Sequence, residues 1–130
     1  MAERFDCIII GAGPAGLAAG LYAARDRFKT LLLEKFVPGG QINNTDRIEN
    51  YPGIERTSGF ELAEKMQKQT QAFGAEIKHC SEVTALAKLD NGDIEITCDK
   101  DKYLARSVIL TPGSSYRKLG IPGEDKFRNA

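Results

Sequence analysis

The 130-residue chain has no tryptophan, one histidine and only three cysteines. The cysteines are odd in number and no two form a C-x-x-C pair, so we predict neither a disulfide framework nor a redox-active dithiol, and a reducing, cytoplasmic compartment fits better. The net charge is zero, which leaves no basic excess for nucleic-acid binding. No apolar run approaches the roughly 20 residues that span a bilayer. We therefore expect no nucleic acid and no membrane among its partners.

A strand, a glycine-rich turn and an alanine-rich helix open the chain. Residues 5–10 form a short apolar run with β-branched side chains, which is typical of a strand buried on both faces of a parallel sheet. The turn at residues 11–16 follows at once, and Pro14 suits the first turn of a helix. A second apolar strand ends at Glu34, so the unit has the form of a βαβ crossover.

The glycine turn predicts a dinucleotide site. Gly11 permits the tight bend, and Gly13 lets the backbone approach a pyrophosphate. Gly16 allows the helix to pack closely on the strand. Pro14 and Ala15 open the helix, whose N-terminus favours an anion. A glycine-rich turn that holds no ligand is the alternative interpretation.

Glu34 ends the second strand where an acidic side chain can bind a ribose diol. Its carboxylate would repel a 2′-phosphate, which favours FAD or NAD over NADP. Lys35 is the neighbouring charge that could soften this repulsion. The residues alone do not separate FAD from NAD.

The middle of the chain alternates irregular and regular segments. Residues 35–58 are rich in glycine, proline and asparagine, and a loop this long inside a compact domain is usually functional. Ser58 and Glu61 form a capping-box pattern, which predicts a helix that runs to about Phe73. We expect Phe73, and Tyr22 in the first helix, to lie in the core.

The C-terminal half changes to a period of two. Alternation over about residues 81–105, with the hairpin signal Asn91-Gly92, predicts three antiparallel strands. Residues 107–110 are apolar again and predict a return to the parallel sheet. The fold class is therefore α/β: a Rossmann-like parallel sheet of the FAD/NAD(P)-binding type with an inserted three-stranded antiparallel β-meander. We expect a single FAD-binding-type domain over residues 1–130.

The order and spacing of several motifs resemble the N-terminal part of low-molecular-weight thioredoxin reductases, which are pyridine nucleotide–disulfide oxidoreductases. The matching motifs are residues 6–17, 33–41, 48–53, 59–62, 71–76 and 119–124. The resemblance implies FAD as the cofactor of the glycine turn. In the complete enzyme, NADPH would reduce the flavin and the flavin would reduce a dithiol pair.

The resemblance also implies roles for individual residues. Glu34 would hold the adenosine ribose, and Val83 would provide a backbone contact to adenine. Asn50 would lie near the isoalloxazine ring, and Gly113 would keep a close backbone approach. The contacts along the flavin side of the cofactor would come from Gly39, Gly40 and Gln41.

Two departures from the family pattern bear on function. The family usually has Ala-Thr-Gly where this chain has Thr111-Pro112-Gly113, and Pro112 removes a backbone N–H. The nicotinamide-binding domain and its C-x-x-C are also missing from the sequence, so the catalytic relay is incomplete and we expect no catalytic residue here. The chain is then either a truncated piece of a longer reductase or a naturally short flavin-fold protein.

An incomplete sheet has a physical consequence. A sheet without its last strand exposes an edge and apolar faces, which predicts self-association, pairing with a partner chain that completes the sheet, or weakened cofactor retention. Two other functions stay open at this point. One is a non-catalytic binding or assembly module with a degenerate or optional flavin site, and the other is a fragment of an NAD-binding dehydrogenase.

Overall fold

The computed structural model describes residues 2–99 and 101–127, which form one six-stranded mixed sheet flanked by helices. The outermost residues of the predicted 1–130 domain lie outside this range. The predicted βαβ unit opens the fold and is confirmed as β1 (Glu3–Ile10), α1 (Pro14–Arg25) and β2 (Thr30–Leu33), with β1 and β2 parallel.

The second helix, α2, spans Gly59–Ala72 and has the predicted capping box. The Ser58 hydroxyl accepts a hydrogen bond from the Glu61 amide at 3.2 Å, and the Glu61 carboxylate accepts one from the Ser58 amide at 3.1 Å. These bonds hold the pKa of the Glu61 carboxyl below its usual value. Thr70 fixes α2 against α1, since its hydroxyl donates to the Leu17 carbonyl at 3.0 Å.

The remaining strands are β3 (Glu76–Lys78), β4 (Val83–Lys88), β5 (Ile94–Cys98) and β6 (Asp101–Leu110), followed by a single helical turn, α3 (Glu124–Phe127). The strand order is β3-β2-β1-β6-β5-β4. Four strands, β3, β2, β1 and β6, run parallel to one another, whereas β4, β5 and β6 form the antiparallel meander. The α/β fold class with its inserted meander is confirmed.

One detail differs from the sequence prediction. The third meander strand and the returning parallel strand are a single continuous strand, β6, because β6 pairs in parallel with β1 from Tyr103 to Leu110 while its first half also pairs with β5. Arg106 lies in this strand and does not interrupt it. The parallel sheet and the meander therefore share one strand.

Both faces of β2 and of the second half of β1 are buried, as their apolar runs predict. Alternate residues point to opposite faces, so Cys7 and Ile9 join one cluster with Leu17 of α1, and Ile8 joins a second cluster with Ile96 of the meander. Within the described part of the chain, no helix combines the length and the apolar character needed to cross a bilayer.

Candidate functional site

A cavity of about 660 Å³ lies where β1 and β6 end, beside the N-terminus of α1. It has three walls: the glycine turn with the first residues of α1, the segment that follows β2, and the segment that follows β6. The carboxyl ends of parallel strands are where open α/β sheets bind ligands. The lining residues are Gly11, Gly13, Pro14, Ala15, Glu34, Lys35, Phe36, Val37, Gly40, Gln41, Ile42, Asn43, Asn44, Thr111, Pro112, Gly113 and Ser114.

Two glycines let the turn fit against the end of β6. A Cβ on Gly16 would lie 1.9 Å from the Gly11 carbonyl oxygen, and one on Gly11 would lie 2.1 Å from the Thr111 carbonyl oxygen. Gly11 also has φ +100°, which L side chains rarely adopt. The Thr111 hydroxyl donates to the carbonyls of Ile10 and Gly11, at 3.0 Å each. These two glycines therefore serve packing at the base of the cavity.

Gly13 differs from the other two glycines of the turn. A Cβ on Gly13 would have no heavy atom within 4 Å, and its φ of −70° is an ordinary value. The residue lines the cavity and caps the N-terminus of α1 without any side chain. The backbone is thus bare where it faces the cavity. No acidic residue stands in the first turn of α1, so no carboxylate of the helix itself opposes an anion.

Glu34 is buried, and its carboxylate points back at the glycine turn. One oxygen, Oε2, accepts a hydrogen bond from the Ala12 amide at 2.8 Å, and the other, Oε1, accepts one from the Phe36 amide at 2.9 Å. Each carboxylate oxygen keeps acceptor capacity for another donor. The Glu34 side chain therefore links the first wall to the second wall and lines the space between them.

The second wall is the segment that follows β2, and backbone hydrogen bonds fix it at both ends. The Gly39 amide donates to the Ala12 carbonyl at 2.7 Å, which ties this wall to the glycine turn. A short 3-10 helix over Gly40–Asn44 follows, and Asn43 donates from Nδ2 to the Pro38 carbonyl at 2.9 Å. Gly59 anchors the far end, because its amide donates to the Thr45 carbonyl at 2.8 Å.

The third wall is the segment that follows β6. It contains Thr111-Pro112-Gly113, where the sequence departs from the family pattern. Pro112 and Gly113 both line the cavity, and Gly113 has φ +70° with open space at its missing Cβ. Gln41 crosses from the second wall and donates from its side-chain amide to the Ser114 carbonyl. The wall is therefore present, but Pro112 offers it no backbone donor.

The cavity brings together most of the residues that the sequence predicts to contact a cofactor. Nine of them line it, namely Gly11, Gly13, Pro14, Ala15, Glu34, Lys35, Gly40, Gln41 and Gly113. Four do not. Gly16 lies buried beneath the turn and Gly39 behind the second wall, while Asn50 is exposed and Val83 begins β4. Their predicted contacts with a cofactor stay predictions.

Sequence reasoning missed two exposed apolar residues of the second wall, Phe36 and Val37. Both line the cavity, and their side chains are 66% and 57% exposed. The signal that could have found them is their place directly after Glu34 and Lys35, at the carboxyl end of a buried strand. Thr111 belongs to the departure from the family pattern, and the sequence does not predict its bonds to the glycine turn.

Parallel strands, a bare helix N-terminus and an acid at the end of the adjacent strand define the Rossmann class of dinucleotide-binding folds. The family model of the pyridine nucleotide-disulphide oxidoreductases matches residues 5–130. The chain belongs to this family, which confirms the resemblance inferred from its motifs. Membership of the family implies a flavin cofactor.

The similar proteins are thioredoxin reductases. The chain is 48% identical over 128 residues to that of Treponema pallidum, a match that covers 98% of this chain and 41% of the relative. A crystal structure of thioredoxin reductase from Lactococcus lactis matches with a TM-score of 0.87 and 44% identity, over 95% of this chain and 40% of that one. The chain thus spans about two fifths of the length of these relatives.

A ferredoxin-flavin thioredoxin reductase from Clostridium acetobutylicum is also similar in structure. It shares 32% identity with a TM-score of 0.78, and the match covers 98% of this chain and 43% of that one. The fold therefore corresponds to a part of several longer proteins from different organisms.

Proposed function

We propose that this chain is the FAD-binding segment of a thioredoxin-reductase-like, flavin-dependent disulfide oxidoreductase, with NADPH as electron donor in the complete enzyme. The segment binds and orients the flavin, whereas the bound flavin supplies the redox chemistry. We assign no catalytic residue to it, since the sequence holds no C-x-x-C. The free thiols of the described residues suit a reducing compartment, and a cytoplasmic location is part of the proposal.

The observation that carries the proposal is the space above Gly13. A Cβ there would meet no protein atom within 4 Å, although the residue stands at a cap position where serine or aspartate is usually preferred. A bare cap at the mouth of a cavity suits a diphosphate, because the exposed N–H groups of the first helical turn can then donate to its oxygens. The cradle fits the pyrophosphate of a dinucleotide.

Glu34 supports the same interpretation at the other end of the cavity. Its two oxygens already accept one backbone amide each, so the carboxylate is oriented before any ligand arrives. The remaining acceptor capacity suits the two hydroxyls of a ribose. A 2′-phosphate would meet this negative charge, which favours FAD over an NADP-type ligand at this site.

A partner that completes the sheet is part of the proposal. The second half of β6, from Arg106 to Leu110, pairs with β1 on one side, while β5 pairs only with its first half. Leu110 is 61% exposed, and a groove of about 630 Å³ beside this half-strand is lined by Tyr22 and Phe28. We propose that a further chain segment or a second copy covers this surface.

A non-catalytic module with an optional flavin site is the second candidate. Pro112 favours it, because a proline in the cavity wall cannot donate a backbone hydrogen bond to a cofactor. The exposed position of Asn50 favours it too, since that side chain lies outside the cavity.

Titration of the purified chain with FAD, NADH and NADP by calorimetry tests the proposal, together with the flavin-to-protein ratio of the preparation. We expect saturable binding of FAD with one site per chain and much weaker binding of NADP. A colourless protein that does not take up FAD would support the non-catalytic module. Tight binding of NADH without FAD would support a dehydrogenase fragment.

Light scattering coupled to size-exclusion chromatography tests the partner surface. We expect a dimer or larger species, or a chain that loses FAD during chromatography. A monodisperse monomer that retains stoichiometric FAD would contradict this part of the proposal.

A further inference from the structure

We propose that Phe36 is the residue on which the adenine base of the dinucleotide stacks, so that it strengthens the binding of adenine nucleotides at this site. The inference rests on the proposed function, because it names the group held beside the ribose. It concerns a side chain that neither the family motifs nor the glycine turn assigns.

The Phe36 side chain is large, apolar and 66% exposed, yet it lines the cavity. Phenylalanine is usually buried, and an exposed aromatic ring beside a polar cavity leaves apolar area in contact with water. A planar base that covers the ring would remove this area from water.

The backbone of Phe36 is fixed relative to the predicted ribose position. Its amide donates to Oε1 of Glu34 at 2.9 Å, and its carbonyl accepts a hydrogen bond from the Cys80 amide at 3.1 Å. The carboxylate proposed to hold the ribose is thus bonded directly to the residue that carries the ring. A base attached to that ribose would lie within reach of this residue.

Charge also orients the ring. Lys35 places its ammonium group 5.3 Å from the centre of the Phe36 ring, and Glu82 holds that ammonium at 2.7 Å. A cation near one face of an aromatic ring is a favourable contact that restrains the ring. A base can then stack on the opposite face, and every base has a π-face suited to this contact.

The test uses ADP, which contains the adenine, ribose and diphosphate but no flavin. Stacking of one base on an aromatic side chain is worth roughly 1–3 kcal/mol, so we expect Phe36→Leu to weaken ADP binding by about 5-fold or more. Phe36→Trp should keep ADP affinity within about threefold of the wild type, because it retains an aromatic face. Thermal unfolding of each variant without ligand should match the wild type, since the side chain is exposed.

Tryptophan gives a direct spectroscopic signature of stacking. The chain has no tryptophan, so Phe36→Trp introduces the only indole, and ADP should quench its fluorescence in a saturable way. Phe60→Trp is the matched control, because Phe60 is 65% exposed and does not line the cavity. We expect no saturable quenching in that variant.

The outcomes separate the two proposals. Undiminished ADP binding by Phe36→Leu, or an unquenched indole in a Phe36→Trp protein that binds ADP, would overturn the assignment of Phe36 alone. If the wild-type chain bound neither FAD nor ADP, the proposed function would fail and the inference with it.

Discussion

Replacement of Gly13 by aspartate separates ligand binding from folding more cleanly than other changes in this cavity. The residue has φ −70° and ψ −175°, the extended geometry of a helix cap, and a Cβ there meets no protein atom. Aspartate is among the best cap residues and gains a few tenths of a kcal/mol over glycine. We therefore expect Gly13→Asp to unfold within about 2 °C of the wild type, or slightly above it.

The same change should abolish dinucleotide binding. The new carboxylate would stand in the space proposed for the pyrophosphate, and two unit charges 4 Å apart repel by about 4 kcal/mol at an effective dielectric constant of about 20. That energy corresponds to a loss of affinity of roughly a thousandfold. The assay is calorimetric titration with FAD and ADP.

Gly13→Asn is the control that adds the same volume and a good cap without the charge. We expect it to bind FAD more weakly than the wild type but more tightly than Gly13→Asp. If Gly13→Asp bound FAD as the wild type does, the diphosphate could not lie above this residue, and the reasoning would be refuted.

Three further predictions concern the stability and reactivity of the chain. Gly16→Ala should be strongly destabilised, since its Cβ would lie 1.9 Å from the Gly11 carbonyl oxygen, and a melting temperature within a few degrees of the wild type would contradict this. Only the exposed Cys80 should react rapidly with Ellman's reagent in the folded protein, because burial raises the pKa of the other two thiols; two fast-reacting thiols would refute the prediction. The Arg4 guanidinium pairs with the Asp93 carboxylate and lowers the pKa of that carboxyl. The ion pair therefore stabilises the fold above the ordinary pKa of 3.8, and this stabilisation is lost as the pH falls through the lowered pKa. Melting temperatures of the wild type and of Arg4→Met should therefore differ at pH 7 and converge as the pH falls below 3.8 and through the lowered pKa, whereas a constant gap would count against the ion pair.

Much of the fold could be predicted because its signals are local. The buried strand before Gly11, the proline at the first helical position and the Ser58 capping box each depend on neighbours within a few residues. Such features are decided by backbone geometry and nearby hydrogen bonds, which the sequence displays directly.

The errors concern burial, which depends on distant parts of the chain. Tyr22 and Phe73 were expected in the core, but they are 64% and 48% exposed. Tyr22 lines the groove beside β6, so its ring does not pack into the core that the described residues form. Cys80 shows the same dependence, because β3 ends at Lys78 and leaves the thiol exposed, whereas Cys7 and Cys98 are buried.

The candidate site could be predicted in part. The glycine turn and Glu34 were found from spacing alone, because the crossover unit brings them together. The contribution of Phe36 and the hydrogen bonds of the second wall could not be predicted, since they depend on the path of an irregular segment. Short-range patterns do not determine such a path.

The central claim is that a diphosphate binds on the bare backbone above Gly13, next to Glu34. Amide chemical shifts followed by nuclear magnetic resonance during titration with FAD test this most directly. The account predicts that the largest changes fall on the amides of Ala12, Gly13 and Ala15, together with that of Phe36. Changes confined to the groove beside Tyr22, with the glycine turn unaffected, would contradict it.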